Sequence, residues 1–549
     1  MSLLRLNSNE GPRASRALLA DLAAMDPELL RRYPDTTAVE SALASRLGVS
    51  PDRVIVTAGA DEALDRIYRA YAGPDRPVLL PDPTFDMLER FAALAGAPLV
   101  RVPWLTDAFP LEAISAKLDS HPAVVVIVSP NNPTGGIASL DDVRRISAAA
   151  SESLVLLDQA YIEYADEDIA PAVLDLPNVV VVRTMSKAWG LAGGRVGYAV
   201  GRPDVIAVLR AAGAPYPVAG PSLALALSQL RRGDAAIRAH VTQVRAERAA
   251  LRQLLCARGV DARVSQANFV FADFGPRMAF VRDGLGARGI LVRDFPGRPG
   301  LETSLRITLP GDPVDFERLM RALETVLAPE AIVFDLDGVL ADVRDSQRAA
   351  MIATARAFGV TLTMDDIENA LRAGDAANDW IVTQRLIAAR GVQVPLETVT
   401  ARFQELYLGR GAVPGLRERE RLIVPDGALQ RISRRLPLAV VTGRPRDEAR
   451  WFLEREGVAN LFQTVVCMED APRKPDPAPV QLALARLGVQ RAWMIGNTPD
   501  DIRAAAGASV LPFGIVAPGD DLEATAAALT DAGAARVLDQ LTDLEELLS

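Results

Sequence analysis

The sequence predicts an α/β protein with two consecutive domains. Its 549 residues are more than a single hydrophobic core usually holds. Short runs of aliphatic and β-branched residues, the pattern of buried parallel strands, occur in two sets along the chain. They lie at residues 54–57, 123–128, 154–157 and 179–182 in the first set, and at residues 331–334, 438–441 and 493–495 in the second. Most of these runs lead directly into polar residues, and open α/β sheets bind ligands at the carboxyl ends of their strands.

Three predicted helices frame the first set of strands. They cover about residues 15–30, 63–71 and 315–327. The last one ends at Ala328 and Pro329, and the strand at 331–334 begins at once, without a Gly/Ser-rich or Pro-rich spacer. We therefore predict domains at 1–329 and 330–549, held close together.

The composition is that of a globular protein whose partners are small molecules. Hydrophobic residues make up 49% and charged residues 24% of the chain. The net charge of −10 argues against nucleic acid or an anionic membrane as partner. Two cysteines imply no disulfide framework, and no apolar run approaches the length of a membrane span or a signal-peptide core. These features predict a cytoplasmic protein.

A lysine directly after a buried strand is the central feature of the first domain. Lys187 follows the run at 179–182 and stands beside Ser186 and Thr184, with Arg195 eight residues further on. An amine among small residues can form a Schiff base with an aldehyde cofactor, and hydroxyl groups with a guanidinium group are good phosphate ligands. The alternative is an ordinary strand–turn–helix junction whose lysine reaches solvent. The motifs elsewhere in the domain favour the cofactor site.

Two other strand ends carry matching features. The strand at 54–57 leads through Ala60 and Asp61 into a helix, and the free N–H groups at such a junction suit a phosphate. Asp158 follows the strand at 154–157, where a buried carboxylate needs a cationic partner such as a pyridinium nitrogen.

Taken together, these motifs resemble the fold-type-I pyridoxal-phosphate aminotransferases, and most of all the histidinol-phosphate aminotransferases. The resemblance spans nearly all of residues 1–326. It rests on the sequences Leu-Asn-Ser-Asn-Glu, Arg-Tyr-Pro-Asp, Gly-Ala-Asp-Glu, Ser-Pro-Asn-Asn-Pro-Thr-Gly, Asp-Gln-Ala-Tyr and Ser-Lys-Ala.

The resemblance implies a role for each of these residues. Lys187 is the Schiff-base lysine and proton shuttle, and Asp158 keeps the ring nitrogen protonated. Asn132 and Tyr161 hold the ring hydroxyl. The cofactor phosphate is held by Ala60, Asp61, Thr184, Ser186 and Arg195, together with Tyr33 from a second subunit. The last role implies a homodimer.

The resemblance also implies that Arg293 and Arg306 bind the anionic end of the substrate.

The sequence departs from the family at three other positions. Phe85 stands where a tyrosine usually stacks on the cofactor, so the stacking is kept and the hydroxyl is lost. Gln159 replaces the usual glutamate beside Asp158, and Arg13 stands where the arm commonly has a substrate-facing tyrosine. The reaction type is therefore better specified than the substrate.

The second domain begins with two carboxylates at a strand end. Asp335 and Asp337 follow the strand at 331–334, and such a pair can divide into a nucleophile and an acid–base group. A magnesium ion would neutralise them and an incoming phosphate. Thr442 ends the next strand, Lys474 lies in Arg-Lys-Pro-Asp-Pro, and the last strand leads into a segment that contains Asn497 and Asp501.

In this order the four motifs resemble the haloacid dehalogenase superfamily, in its phosphoglycolate-phosphatase-like branch. The resemblance implies a Rossmann-like domain with a helical cap at about 346–421. It also implies that Asp335 attacks phosphorus, that Asp337 protonates the leaving oxygen, and that Thr442 and Lys474 hold the phosphoryl group. The implied Mg²⁺ ligands are Asp335, Asp337, Asn497 and Asp501. Asn497 stands where the family usually has an aspartate.

The two resemblances together predict a bifunctional enzyme. It would combine pyridoxal-phosphate-dependent transamination, of the histidinol phosphate/2-oxoglutarate type, with Mg²⁺-dependent hydrolysis of a phosphate monoester. Histidine biosynthesis uses both steps on histidinol phosphate, which gives the fusion a metabolic logic. Two alternatives stay open: a C-terminal domain that only senses phosphate or supports the structure, and a phosphoamino-acid decarboxylase in place of the aminotransferase.

Overall fold

The computed structural model describes residues 3–374, 378–411, 413–425 and 427–548. Its internal contacts divide the chain into two compact units. One unit consists of Leu4–Met278 and Leu291–Arg318, and the other mainly of Ala279–Ile290 and the chain from Leu319 onwards. In the described residues no helix is long and apolar enough to cross a membrane.

A seven-stranded sheet forms the centre of the first unit. From one edge to the other, its strands are Val54–Thr57, Gly197–Val200, Val179–Thr184, Leu154–Asp158, Val124–Val128, Val78–Asp82 and Leu99–Pro103. Gly197–Val200 is antiparallel to both of its neighbours, and the remaining pairs are parallel. The four strands predicted in this half of the sequence are confirmed, and nearly every residue in them is buried.

The first unit also contains helices around its sheets. They are Arg16–Ala23, Glu28–Arg31, Thr37–Leu47, Gly59–Tyr71, Asp86–Ala95, Leu111–Ser115, Leu140–Ala149, Ala170–Val173, Pro203–Ala211, Gly220–Arg232 and Asp234–Ala257. Leu64, Ile67 and Tyr68 of Gly59–Tyr71 belong to the same buried cluster as the strand valines. The single helix predicted at 15–30 is wrong, because the chain turns at Pro27, whose ring cannot be accommodated inside a helix.

A smaller antiparallel sheet carries part of the predicted substrate site. Phe269–Asp273 is its middle strand, between Ser304–Thr308 and Asp261–Ala262. Phe271 lies opposite Arg306 in this register.

A six-stranded parallel sheet forms the centre of the second unit. Its strands, in spatial order, are Phe462–Val466, Leu438–Val441, Ala331–Phe334, Ala492–Gly496, Leu511–Ile515 and Arg536–Leu538. Ala331–Phe334 lies between the strands that precede Thr442 and Asn497, so the carboxyl ends of the three predicted motif strands meet at one edge. Around the sheet lie Ala428–Ser433, Arg446–Arg455, Ala478–Leu487, Pro499–Gly507, Leu522–Asp531 and Asp543–Leu547.

The predicted cap is mainly helical. Its helices are Ala349–Ala357, Met364–Ala373, Asp379–Ala389 and Leu396–Leu408. They share two apolar clusters, one of which contains Met351, Ile367 and Phe403. Short strands complete the region: Gly409–Arg410 pairs with Val413–Pro414, and Arg421–Leu422 pairs with Ala341–Asp342.

Helical residues before position 329 pack against this second sheet. The helices Met278–Ala287 and Pro313–Leu327 each contribute to the second unit. Phe280 lies 5.5 Å from the Trp493 ring and 5.8 Å from the Phe513 ring, centroid to centroid. Trp493 Nε1 donates to the backbone oxygen of Thr325 at 2.8 Å. The compact unit around the second sheet thus includes residues from before the predicted domain boundary.

Candidate active sites

Lys187 lies just beyond the central strand Val179–Thr184 and is half-buried. Its Nζ donates to the backbone oxygen of Ser8 at 3.4 Å and stands 5.6 Å from the centroid of the Tyr161 ring. Gly11 contacts the backbone of Lys187 so closely that a Cβ atom there would lie 1.7 Å from the lysine carbonyl oxygen. The N-terminal arm, residues 6–12, therefore packs directly against Lys187.

The predicted cofactor residues surround one cavity. Its lining is Ala60, Asp61, Leu64, Phe85, Val128, Asn132, Asp158, Ala160, Tyr161, Thr184, Ser186, Lys187 and Arg195. Of the predicted cofactor residues, all but Tyr33 are brought together here within one chain.

One end of this cavity has the groups that a phosphate requires. Thr184 Oγ1 donates to Ser186 Oγ at 2.9 Å, and Arg195 reaches Ser186 Oγ through Nη1 at 3.4 Å and Asp61 Oδ2 through Nη2 at 3.1 Å. Arg195 has the left-handed backbone conformation, with φ +50°, which is costly for a residue with a side chain. Gly59 has φ +81°, and a Cβ there would lie 2.5 Å from Arg195 Nη2. The backbone is thus shaped to hold a guanidinium group beside the N-terminus of helix Gly59–Tyr71, a favourable place for an anion.

Asp158 is a buried carboxylate without a cationic partner at hydrogen-bonding distance among the described residues. Its Oδ1 accepts from the backbone N–H of Ala160 at 3.0 Å. Burial raises the pKa of Asp158 to about 7, with a further contribution from Asp61, while the Ala160 hydrogen bond and the Lys187 charge oppose the shift. A protonated ring nitrogen of a bound cofactor would supply the missing partner. The residues present therefore fit pyridoxal phosphate.

Asn9 is a site residue whose role the sequence did not reveal. It is buried with φ +53°, its Nδ2 donates to Tyr161 Oη at 3.0 Å, and its Oδ1 accepts from Thr308 Oγ1 at 2.8 Å. Asn9 thereby connects the arm to Tyr161 and to the small antiparallel sheet. Its membership of the arm motif was the signal available in the sequence.

The two predicted substrate arginines lie in an adjoining cavity that Lys187 also lines. Their backbones exchange hydrogen bonds, Arg293 N to Arg306 O at 3.0 Å and the reverse at 2.8 Å. Arg306 Nη1 donates to Asn132 Oδ1, and Nη2 donates to Asn7 O at 2.9 Å. Its Nε is buried with no partner among the described residues, and burial lowers the pKa of this guanidinium. Arg306 therefore retains an unused donor that an anionic ligand could engage.

Tyr33 lies outside both cavities. Its side chain is 81% exposed and stacks on Tyr216, with ring centroids 4.5 Å apart. Leu19, Leu22 and Leu30 on the two helices before it are exposed as well. A single chain thus does not bring Tyr33 to the cofactor cavity.

Two of the departures from the family pattern are accounted for by local contacts. Gln159 Oε1 accepts from Arg183 through both Nε at 3.0 Å and Nη2 at 2.7 Å. The amide oxygen therefore accepts hydrogen bonds from this guanidinium as a carboxylate would, but without the negative charge. Arg13 is exposed and pairs with Asp315 at 3.2 Å, away from both cavities.

Asp335 and Lys474 form the centre of the second site. Lys474 Nζ lies 2.5 Å from Asp335 Oδ1 and is also paired with Asp501. Burial raises the pKa of Asp335 despite the opposing Lys474 charge. Burial alone would lower the pKa of Lys474, but Asp335 and Asp501 outweigh it and raise that pKa. The ammonium group is therefore the firmly charged member of this cluster. Thr442 is buried beside it, lines a small neighbouring cavity with Lys474, and accepts from Arg444 N at 3.2 Å.

Arg444 links Asp337 to the cap. Its Nε donates to Asp337 Oδ1 at 2.7 Å, and its Nη1 donates to Glu420 Oε2 at 2.9 Å. Glu420 is fully buried and also accepts from Tyr407 Oη at 2.9 Å. Asp337 and Glu420 are 83 positions apart in the sequence, so sequence reasoning had no means of finding this connection.

The predicted metal ligands all line one cavity together with Lys474 and Arg444, and this is not the small cavity beside Thr442. In the described residues, however, no group of three or more His, Cys, Asp or Glu side chains is placed to hold a metal ion. Asn497 is buried, and its Oδ1 has no hydrogen-bond partner among those residues. Gly338, at φ +78°, leaves room for this amide, because a Cβ there would lie 2.3 Å from Asn497 Nδ2. Carboxylates with a free amide oxygen are ligands of the kind that Mg²⁺ prefers, so the donor set fits the ion.

Comparison with known proteins identifies two families along the chain. The family model described as aminotransferase class I and II matches residues 2–323, and the model described as haloacid dehalogenase-like hydrolase matches residues 329–509. The histidinol-phosphate aminotransferase of Chlorobium phaeovibrioides is 39% identical over 332 residues, covering 58% of this chain and 90% of that protein.

A second protein and a solved structure are also similar to parts of the chain. An imidazoleglycerol-phosphate dehydratase of Phytophthora nicotianae is 44% identical over 197 residues, covering 34% of this chain and 44% of that protein. The crystal structure of histidinol-phosphate aminotransferase from Sinorhizobium meliloti, in complex with pyridoxal-5'-phosphate, is 26% identical with a TM-score of 0.54, covering 59% of this chain and 90% of that one. The chain therefore belongs to the aminotransferase class I and II family and carries a haloacid dehalogenase-like hydrolase domain after it.

Proposed function

We propose that this chain is a bifunctional enzyme acting on histidinol phosphate at both sites. The first site would exchange its amino group with 2-oxoglutarate in a pyridoxal-phosphate-dependent reaction, and the second would hydrolyse its phosphate ester with Mg²⁺. The observation that carries the proposal is the cofactor cavity, in which Lys187 and the unpaired carboxylate of Asp158 lie together with a phosphate-binding end.

In the first site each residue has a distinct task. Bound pyridoxal phosphate would supply an electron sink for the substrate's α-carbon. Lys187 would hold the cofactor and carry a proton to and from that carbon. Asp158 would keep the ring nitrogen protonated, Asn132 and Tyr161 would orient the ring hydroxyl, and Phe85 would stack on the ring.

At the phosphate end of the cofactor, the ligands would be Ala60, Asp61, Thr184, Ser186 and Arg195. Arg293 and Arg306 would bind the substrate's anionic end, and the unused Nε of Arg306 supports this role. Histidinol phosphate as substrate is supported by the similarity to the histidinol-phosphate aminotransferase of Chlorobium phaeovibrioides, of which this chain covers 90%.

Tyr33 would complete the cofactor site of a second subunit in a homodimer. Its exposure beside exposed leucines supports an interface on this side of the chain. Co-expression of Lys187→Ala and Tyr33→Ala chains tests this. Each mixed dimer would contain one site with both Lys187 and Tyr33 intact, so activity should rise above that of either parent. Mixed dimers no more active than the parents would refute shared sites.

In the second site, Asp335 would attack phosphorus and Asp337 would protonate the leaving oxygen. Lys474 and Thr442 would hold the phosphoryl group, since the Lys474 charge already lies against Asp335. Mg²⁺ would be held by Asp335, Asp337, Asn497 and Asp501, and would neutralise charge between the nucleophile and the phosphate.

The decisive experiment gives the purified protein histidinol phosphate under two conditions. With Mg²⁺ we expect release of inorganic phosphate, lost in Asp335→Asn. With pyridoxal phosphate and 2-oxoglutarate we expect glutamate, lost in Lys187→Ala but kept in Asp335→Asn. Carbon dioxide released from a phosphoamino acid, given in place of histidinol phosphate and without 2-oxoglutarate, would instead indicate a decarboxylase. Glutamate formation without phosphate release from any ester would leave the C-terminal domain as a sensor or structural partner.

A further inference from the structure

One cavity is lined by Asp335 and other residues at the edge of the six-stranded sheet, and also by residues of the cap. Its cap side presents Trp380, Phe403 and the carboxylate of Asp379, and its sheet side presents Glu448. An organic group attached to a phosphate held at Asp335 would lie against these residues. We call the residues that line this cavity the cavity wall. Their charges determine which organic group is accepted.

Every cation that lines the cavity is already neutralised. Lys474 is paired with Asp335 and Asp501. Arg444 is paired with Asp337 and Glu420. Arg348 forms a two-fold contact with Asp520, with Nη2 to Oδ2 at 3.2 Å. None of the three is left to attract an anionic leaving group.

Two carboxylates of the same wall are not neutralised. Within the described part of the chain, neither Asp379 nor Glu448 forms an ion pair. Glu448 is 8% exposed and accepts one side-chain hydrogen bond, from the neutral amide of Gln404 at 2.8 Å. When the Gln347 amide is oriented so that both its nitrogen and its oxygen have hydrogen-bond partners, its nitrogen donates to Asp379 Oδ2 at 3.0 Å.

Neighbouring groups do not offset the free-energy cost of burying these two charged carboxylates. Asp379 is the first residue of its helix, and a helix N-terminus stabilises a carboxylate without neutralising it. Burial raises the pKa of Asp379 to about 7, and burial also raises the pKa of Glu448. Buried carboxylates are normally paired, so the wall is one that a ligand with donor groups or positive charge would complete.

The aromatic residues match such a ligand. Trp380 and Phe403 line the cavity from the cap, and aromatic faces attract cations as well as flat rings. An acidic, aromatic wall favours a protonated amine or imidazole and disfavours a carboxylate.

We propose that Asp379 and Glu448 are specificity residues, which select phosphate monoesters whose alcohol carries a protonated nitrogen. The inference rests on the proposed phosphatase function and adds the chemical class of its leaving group. Histidinol phosphate belongs to this class, whereas phosphorylated hydroxy acids do not.

The test compares two pairs of esters of similar shape on the full-length chain with Mg²⁺. One pair is 2-aminoethyl phosphate and propyl phosphate. The other is histidinol phosphate and 2-methyl-3-phenylpropyl phosphate, which has a methyl and a phenyl group in place of the ammonium and imidazole groups. p-Nitrophenyl phosphate reports whether the phosphatase is active at all. The variants are Asp379→Asn and Glu448→Gln, with Asp447→Asn as a control that removes an exposed carboxylate next to Glu448.

We expect the parent protein to prefer the cationic member of at least one pair by about 10-fold or more in kcat/KM, the scale of a hydrogen bond to a charged group. Asp379→Asn and Glu448→Gln should each lower kcat/KM for that cationic ester by about 10- to 100-fold and leave the neutral ester within about two-fold. Asp447→Asn should leave both unchanged.

Two results would overturn the inference while leaving the phosphatase assignment in place. One is an active parent protein with no preference in either pair. The other is a loss in the two variants that affects cationic and neutral esters equally, which would indicate a structural role. Inactivity of the parent on all esters, including p-nitrophenyl phosphate, would instead refute the proposed phosphatase function and this inference with it.

Discussion

At the residue scale, the buried carboxylate of Asp158 lowers the free energy of unfolding of the cofactor-free chain. In the cofactor-free chain its carboxylate is buried, and its pKa is raised from 3.8 to about 7. The folded chain therefore keeps this proton to higher pH than the unfolded chain does. It follows that the stability of the fold falls as pH rises from about 4 to about 7, and stays lowered above that.

We expect Asp158→Asn to stabilise the cofactor-free protein above pH 7 and to weaken its binding of pyridoxal phosphate. A pKa shift of this size corresponds to roughly 4 kcal/mol, and asparagine can still accept from Ala160 without carrying the charge. Thermal midpoints of both proteins without cofactor, at pH 5 and pH 8, measure the effect, and an absorbance titration with cofactor measures affinity. The gain should be larger at pH 8. A variant less stable than its parent at pH 8, or a gain independent of pH, would contradict this account.

Asn497 leads to a prediction about the metal. Its neutral amide stands where a carboxylate would bind Mg²⁺ more strongly, and the difference in a partly dry site is on the order of 1–3 kcal/mol. Asn497→Asp should therefore lower the Mg²⁺ concentration that gives half-maximal hydrolysis of p-nitrophenyl phosphate. Magnesium titrations of the two proteins provide the measurement, with Asp335→Asn as the baseline. Equal midpoints would show that Asn497 does not act as a ligand.

The residues at strand ends could be predicted because a buried β-branched run followed by a polar residue is a local pattern. Lys187, Asp158 and Asp335 were found in this way, and the structure places each beside the neighbours expected for it. Asn9 and Glu420 could not be found in this way. Their importance comes from partners 152 and 24 positions away in the chain, and no local pattern encodes such contacts.

At the element scale, the N-terminal arm acts as a wall of the first site although it has little regular structure of its own. Asn9 holds Tyr161, Asn7 O accepts from Arg306, and Ser8 O accepts from Lys187. The close approach of Gly11 to Lys187 fixes where the arm crosses the lysine. Sequence patterns predict strands and helices from periodicity, and an arm held by scattered long-range contacts has none.

Gly11→Ala tests this arrangement. A methyl group 1.7 Å from a backbone oxygen cannot be accommodated, so the arm or Lys187 must move. We expect weaker cofactor binding and faster proteolysis near the N-terminus, with the remainder of the fold intact by circular dichroism. Ser8→Ala is the matched control, because it removes an exposed hydroxyl from the same arm. If Gly11→Ala bound the cofactor as Ser8→Ala does, the arm would not be a wall of the site.

At the scale of the whole molecule, the compact unit around the second sheet is not completed by the C-terminal sequence alone. Phe280 and Leu323 belong to the stretch matched by the aminotransferase family, yet both are buried in the unit that contains Trp493. The sequence predicted two domains with a boundary at 329, because the helix at 315–327 ends in a proline and a strand follows. It could not predict which sheet each helix would cover, since an apolar helix face does not specify its partner.

This packing leads to a prediction about the folding of the chain. Trp493 and Phe513 are fully buried, and Phe280 packs against both rings. Phe280→Ala would therefore leave a cavity over the strands Ala492–Gly496 and Leu511–Ile515. Such a change typically costs about 3–5 kcal/mol. We expect faster amide hydrogen exchange in those two strands. A fragment beginning at residue 330 should bind a hydrophobic dye, because the same surface is uncovered.

The control is Phe271→Ala, which changes an equally buried phenylalanine of the other unit and should leave exchange in the two strands unchanged. Unchanged exchange in Phe280→Ala, together with a fragment that binds no dye, would mean that the C-terminal sequence folds without help from residues before 329.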